Sequence, residues 1–295
     1  MRSVSFPVVV CSCVALVAAC ERAPRVAASR ATDDFGDTIA VAQTPRRIVS
    51  LNPTTTELLY AIGAGERIVG RTAYDLWPEA ARALPDLGPG LRPNVEAVLA
   101  AKPDLVILYA SDDNRDAARR LRAAGIATAA FRVDRIADFM RVTRALGALV
   151  GDTTAARVTT DSVRRTLERV RFATRALGAP TVFWPVYDRP LLAVGGGSYL
   201  DELIAIAGAR NVYGFLSAPS PQVTVEDLIQ RDPDIVLVAP ASRDRFLSDP
   251  RLRAMRAVRL GRVLAVDTNL VLRPGPRLGE AARSLAALIH PDAVP

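Results

Sequence analysis

Apolar positions along this chain fall into two rhythms. Short, nearly unbroken apolar runs at Arg47–Leu51, Ile68–Gly70, Leu105–Leu108, Ala127–Val133, Thr181–Trp184 and Val263–Val266 are bounded by turn residues and read as buried strands. Between them lie segments with apolar residues three and four apart, the spacing of amphipathic helices. The longest stretch free of Gly and Pro runs from Asp152 to Leu177. In it Val163, Leu167, Val170 and Leu177 share a helical face, while Arg164, Arg165, Glu168, Arg169 and Arg171 cover the others. Asp152 suits an N-cap, Gly178 a C′ position, and Pro180 forbids continuation. The pattern predicts one continuous helix of roughly 39 Å.

The segments flanking this helix repeat. Val95-Glu-Ala-Val-Leu-Ala-Ala-Lys-Pro-Asp-Leu-Val-Ile-Leu108 matches Val225-Glu-Asp-Leu-Ile-Gln-Arg-Asp-Pro-Asp-Ile-Val-Leu-Val238. Each copy predicts a short helix, a Pro-Asp turn and a buried strand, and each follows an earlier strand. The expected fold is α/β: two Rossmann-like lobes joined by a single long rigid helix, with a ligand cleft between them. The expected divisions are 1–19 signal peptide, 20–44 tether and N-terminal hairpin, 45–150 first lobe, 151–178 linking helix, and 179–295 second lobe.

At the start of the chain, Arg2 and the apolar run Val8–Ala19 have the length of a signal peptide. The run ends Leu16-Val-Ala-Ala-Cys20, which resembles the lipobox of bacterial lipoproteins and makes Cys20 the expected lipidation site. All three cysteines lie in this segment, so the remaining chain has no disulfide or thiol chemistry. The charge of +7 comes almost wholly from arginine, since Lys102 is the only lysine. These arginines are spread along helices without interleaved aromatics, which argues against a nucleic-acid footprint. His290, the only histidine, sits near the chain's end. A Ser-His-Asp or Cys-His enzyme therefore lacks its base, a histidine-rich metal site is excluded, and no resident cofactor is expected.

The expected ligand residues lie where strands end. Asn52 and Thr54 meet a helix N-terminus after the first strand. Tyr74 and Trp77 stand in a loop, in a chain with only 5% aromatics, and can stack on a flat ligand. Tyr109 follows a strand of the first lobe. Trp184 and Tyr187 occupy the loop region after the first strand of the second lobe, and Asn269 and Arg273 a later loop, 267–276. The Gly195-Gly-Gly-Ser198 turn reads as a helix start with Ser198 as its cap, since no Gly-Lys-Ser/Thr follows. Thr72–Pro78 and Tyr187–Arg189 are expected to be loops.

Several blocks, Arg47-Ile-Val-Ser-Leu-Asn-Pro-Thr-Thr-Thr-Glu-Leu-Leu-Tyr-Ala-Ile-Gly-Ala-Gly65, Pro93-Asn-Val-Glu96 through Lys-Pro-Asp104, Asp232-Pro-Asp234 and Gly275-Pro-Arg277, resemble the periplasmic substrate-binding proteins for vitamin B12 and iron chelates. The resemblance spans essentially 33–291. It implies two lobes on one rigid helix, with ligand bound between them and delivered to a permease dimer driven by a cytoplasmic ATPase. It also implies a glutamate on each lobe that meets permease arginines, here Glu96 and Glu226. The implied location is the periplasm or cell surface, held to the membrane by the N-terminal lipid. Asn269 and Leu270 stand where a corrinoid receptor of this family carries an acid and an aromatic, so cobalamin, an anionic ferric siderophore and haem all remain open. A haem receptor would draw its axial ligand from Tyr74, Tyr109 or Tyr187. A sensor or adaptor lipoprotein with no transported ligand is the alternative from another class.

Overall fold

In the computed structural model, residues 32–292 are described. The expected signal peptide, Cys20 and most of the tether lie outside them. The first lobe contains β1 (Ile48–Leu51), α1 (Pro53–Ala61), β2 (Ile68–Gly70), α2 (Val95–Ala100), β3 (Leu105–Tyr109), α3 (Asp112–Ala123) and β4 (Ala127–Phe131). Two helices follow, α4 (Ile136–Val150) and α5 (Thr153–Thr174). The second lobe contains β5 (Thr181–Phe183), β6 (Pro185–Asp188), β7 (Leu191–Ala193), α6 (Tyr199–Ile206), β8 (Arg210–Asn211), α7 (Val225–Arg231) and β9 (Ile235–Val238). It continues with α8 (Arg243–Ser248), α9 (Arg256–Arg259), β10 (Val263–Ala265), α10 (Thr268–Val271) and α11 (Leu278–Ile289).

The repeat seen in the sequence is a repeat of topology. The first sheet has order β2-β1-β3-β4 and the second β10-β9-β5-β8, both parallel. Read from the other edge, the second is β8-β5-β9-β10, the same winding as the first. Local chemistry repeats with it. Asn94 and Thr224 cap α2 and α7 by accepting the Ala97 and Asp227 amides, both at 3.1 Å. Lys102 and Asp232, the residues before each Pro-Asp, both take positive φ, at 47° and 38°. Each Pro-Asp carboxylate then anchors the lobe's first strand: Asp104 accepts the Arg46 and Arg47 amides, and Asp234 accepts the Thr181 amide and hydroxyl.

The two sheets do not have separate interiors. Each packs its outer face on a private cluster, Val49, Val106 and Leu121 in one lobe and Phe183, Val236 and Leu252 in the other. Their inner faces join one continuous cluster running from Ile48 and Ile107 to Ile235 and Leu285 through Val163, Leu167 and Val170 of α5. Two glycines permit this closeness. A Cβ on Gly147 of α4 would lie 2.4 Å from the Ala156 Cβ of α5, and one on Gly279 of α11 would lie 2.7 Å from the Thr166 Cβ. A shared, close-packed interior resists hinge bending.

Several local expectations are corrected. The long helix starts with Asp152 as N-cap, as expected, but spans 22 residues, about 33 Å, and ends at Thr174. There the Thr174 hydroxyl donates to the Ile206 carbonyl at 2.9 Å, tying the helix end to the second lobe. Gly178 therefore forms no left-handed cap. The expected 34–42 hairpin is a single bridge, Thr32 to Thr38. Its turn is docked instead on β4, because the Asp33 carboxylate accepts the Phe35, Asp37 and Ala130 amides. Tyr187 and Asp188 lie in a β6–β7 hairpin and not in a loop. The expected 267–276 loop contains α10, capped by Asp267 accepting the Asn269 amide at 2.9 Å.

Candidate functional site

Parallel strands in both sheets end toward the seam between the lobes, and the side chains just past those ends define the site. A cavity of about 420 Å³ is lined by Asn52, Pro53, Thr54 and Tyr74 from the first lobe and Thr268, Asn269, Leu272 and Arg273 from the second. A larger cavity, about 640 Å³, opens beside β8 between Asp201, Arg210, Phe215 and Arg231. It is lined by the second lobe alone and lies at the free edge of that sheet. The two-lobe cavity is the candidate site, because only there do the strand ends of both halves converge.

Its first wall is built by α1 and the 72–78 loop. Asn52 caps α1, its side-chain oxygen accepting the Thr54 amide at 3.0 Å. The polar side chains at this strand end therefore fix the helix start as well as line the cavity. The loop is held by Asp75, whose Oδ2 accepts both the amide and the hydroxyl of Thr72 at 2.6 Å, while Tyr74 donates its amide to the Thr72 hydroxyl. Burial raises the Asp75 carboxyl above the ordinary range against these hydrogen bonds. Tyr74 is 63% exposed and Trp77 37%, large aromatic surfaces held out by a loop pinned at its start through Thr72 and Asp75.

The base of the cleft carries an ionic cluster that joins the lobes. Glu57 of α1 is 1% exposed. Arg277 donates to both its oxygens, at 3.2 and 3.4 Å, and Arg273 stands 3.8 Å away. Burial outweighs the two guanidiniums and holds the Glu57 carboxyl above its ordinary pKa. Arg273 donates to the Tyr74 carbonyl at 2.8 Å, and Arg277 to the Asn269 carbonyl at 2.8 Å. The Arg277 guanidinium also lies 4.4 Å from the centroid of the Trp77 ring. A second bridge links the lobes beyond β4. Tyr199 donates its amide to the Asp134 carbonyl at 2.7 Å, and Glu202 accepts the Ile136 amide at 2.8 Å and pairs with Arg135.

Of the residues expected to bind ligand, Asn52, Thr54, Tyr74, Asn269 and Arg273 come together around this cavity, and Trp77 joins them through Arg277. Three do not. Trp184, at the junction of β5 and β6, is 2% exposed and packed in the shared core. The Tyr109 hydroxyl donates to Asp134 at 2.9 Å, and burial pushes its pKa up to about 12. Tyr187 is exposed on β6, beside a separate cavity of about 460 Å³ lined by Val186, Asp188, Ala239 and Arg245. Glu57 and Arg277, central to the candidate site, fall within blocks that carry the family resemblance but were not among the expected ligand residues. They are 220 residues apart, beyond any periodicity. Away from the cleft, Glu96 and Glu226 occupy the first turns of α2 and α7; Glu96 pairs with Arg120 at 2.7 Å. Among the described residues no three His, Cys, Asp or Glu side chains group as metal ligands, and no helix is long and apolar enough to cross a membrane.

Two α/β lobes on one helical joint, with an aromatic and polar cleft at their facing strand ends, define a receptor-type binding protein. The chain belongs to the periplasmic binding protein family, whose model matches residues 48–270. It is 28% identical over 271 residues to an uncharacterized ABC transporter substrate-binding lipoprotein of Bacillus subtilis, covering 88% of this chain and 85% of that one. It is 26% identical over 232 residues to a vitamin B12-binding protein of Vibrio vulnificus, covering 78% and 85%. Among solved structures, a periplasmic heme-binding protein from Roseiflexus superposes with a TM-score of 0.77 at 26% identity, covering 84% of this chain and 99% of that one.

Proposed function

We propose that this protein is the substrate-binding component of an ABC importer, taking a cobalamin-type corrinoid into the cleft between its lobes and delivering it to a permease. The observation that carries this reading is the two-lobe cavity with Tyr74 exposed at its wall. A large, flat, amide-fringed ligand would stack on the aromatics and hydrogen-bond to Thr54 and Asn269. Of the arginines nearest the cavity, Arg277 already donates to Glu57 and Arg273 pairs with it, and both donate to backbone carbonyls, which favours a ligand of low charge. Relatives named for vitamin B12 and cobalamin agree with it. A ferric chelate is the second reading, favoured by the surplus of two guanidiniums over one carboxylate at the cleft base. Haem, carried by similarly folded receptors, would draw on the Tyr74 phenol.

In this reading Glu96 and Glu226, equivalent positions of the repeat, present one carboxylate per lobe to a two-fold permease, where charge-assisted pairing would set orientation and association rate. Cys20 would carry the lipid that holds the protein at the outer face of the membrane, in keeping with the lipoprotein naming of the Bacillus relative. Titration with cobalamin, haem and a ferric siderophore panel by calorimetry and tryptophan fluorescence tests the ligand class. Each aromatic stack contributes about 0.5–1.5 kcal/mol beyond area burial, so the Tyr74→Ala, Trp77→Ala double variant should bind cobalamin roughly 5- to 150-fold more weakly. Binding of haem or a siderophore without cobalamin would overturn the corrinoid assignment. Unchanged affinity in the double variant would overturn the stacking site.

A further inference from the structure

The loop that presents Tyr74 and Trp77 belongs to the first lobe, yet it is gripped from the second. Arg273 reaches back across the cleft to the Tyr74 carbonyl at 2.8 Å. Arg277 lays its guanidinium over the Trp77 ring at 4.4 Å. Both arginines come from the segment joining α10 to α11, and both are oriented by Glu57, a first-lobe carboxylate that is buried against them. Each also donates to the Asn269 carbonyl, at 3.3 and 2.8 Å. Gly275 lets this segment close in, since a Cβ there would stand 3.1 Å from a Glu57 oxygen.

We infer that Glu57 is a positioning residue for the ligand site, acting through Arg273 and Arg277 to hold the Tyr74–Trp77 loop in its stacking pose. The inference rests on the cleft being the ligand site. A fork of two nitrogens on one carboxylate fixes Arg277, whose guanidinium carbon is thereby held over the Trp77 ring, 4.4 Å from its centroid. One face of Trp77 is thereby filled by protein, which leaves its other face and edge for a ligand. The relay also couples ligand retention to lobe geometry. Separating the lobes at this point withdraws both arginines from the loop in one movement, so a permease that pulls the two lobes apart would free the aromatics and loosen the ligand together.

The two tryptophans make this measurable without ligand. Trp184 is shielded in the core, so quenching by dissolved acrylamide reports Trp77. Arg277→Ala should open the covered face and raise the quenching constant about twofold, and Glu57→Gln should raise it similarly by releasing Arg277. Arg277→Lys, which keeps a cation for Glu57 and loses the guanidinium over the ring, should quench like Arg277→Ala while melting near the wild-type temperature. Glu57→Asp should fall between wild type and Glu57→Gln. Cobalamin affinity should drop about tenfold in Arg277→Lys through lost preorganisation. Wild-type quenching in Arg277→Lys, or in a folded Glu57→Gln, would overturn the relay. The expected quenching pattern with no cobalamin binding by wild-type protein would instead refute the ligand assignment alone.

Discussion

Leu167 lies in the second half of α5, 6% exposed, in the cluster that runs unbroken from one sheet to the other. Leu167→Ala removes three carbons from that shared interior. Loss of transfer energy plus the residual cavity should cost about 2–5 kcal/mol, toward the lower end because one side of the residue nears the surface. For a chain of this size each kcal/mol lowers the melting temperature by roughly 2–4 °C, so a drop of about 4–12 °C is expected. The shared core makes a sharper claim than the size of the drop. Trp77 sits in the first lobe and Trp184 in the second. Urea unfolding followed in Trp77→Phe and Trp184→Phe single-tryptophan proteins should give coincident transitions, and Leu167→Ala should move both by the same amount. Transitions that separate, or a Leu167→Ala effect confined to one reporter, would refute a common core and make the helix a mere tether.

Gly147→Val should destabilise by about 1–3 kcal/mol through overpacking against Ala156, read as a lower urea midpoint, whereas the same change at exposed Gly178 should cost far less. Changing both Glu96 and Glu226 to Gln should abolish uptake in cells while leaving cobalamin affinity intact; normal uptake in the double variant would remove the docking role, and a lower melting temperature with normal uptake would assign both residues to helix N-termini. Cys20→Ser should shift the protein from the membrane fraction to the soluble fraction. Because burial raises the Glu57 carboxyl against the pull of Arg277 and Arg273, the folded state binds that proton more tightly than the unfolded chain does. Its contribution to stability is thus fully present below the unfolded carboxylate pKa and lost as pH rises through the higher folded value. The stability of wild type minus that of Glu57→Gln should fall across that window, and a difference that rises with pH would contradict the burial argument.

Much of the architecture was legible because it depends on short-range patterning. Apolar runs and caps mark the strands and helices, and the match of Val95–Leu108 to Val225–Val238 announced two lobes of like winding. Even the paired roles of Asp104 and Asp234 sit in repeated Pro-Asp steps. The site was legible only in part. Strand-end position was enough to single out Asn52, Thr54, Tyr74, Asn269 and Arg273, which line the two-lobe cavity. It could not distinguish Trp77, held half-exposed on a loop, from Trp184, turned into the core, because both follow apolar strands. Nor could it show that Glu57 meets Arg277. A lone acid beside Leu58 and Leu59 signals an unusual burial, but its partner is chosen by how the lobes close on each other. The β6–β7 hairpin was missed for a similar reason: Val186 and Tyr187 stay largely exposed, so no buried face marks the run as a strand.

Amide hydrogen exchange with and without saturating cobalamin tests the central claim most directly. Binding between the lobes should slow exchange in residues 54–56, 72–77 and 268–273 together, from both walls of the cleft, and leave the β8 edge near Arg210 and Phe215 unchanged. Protection at that outer edge, or on one wall alone, would contradict a ligand held between the lobes.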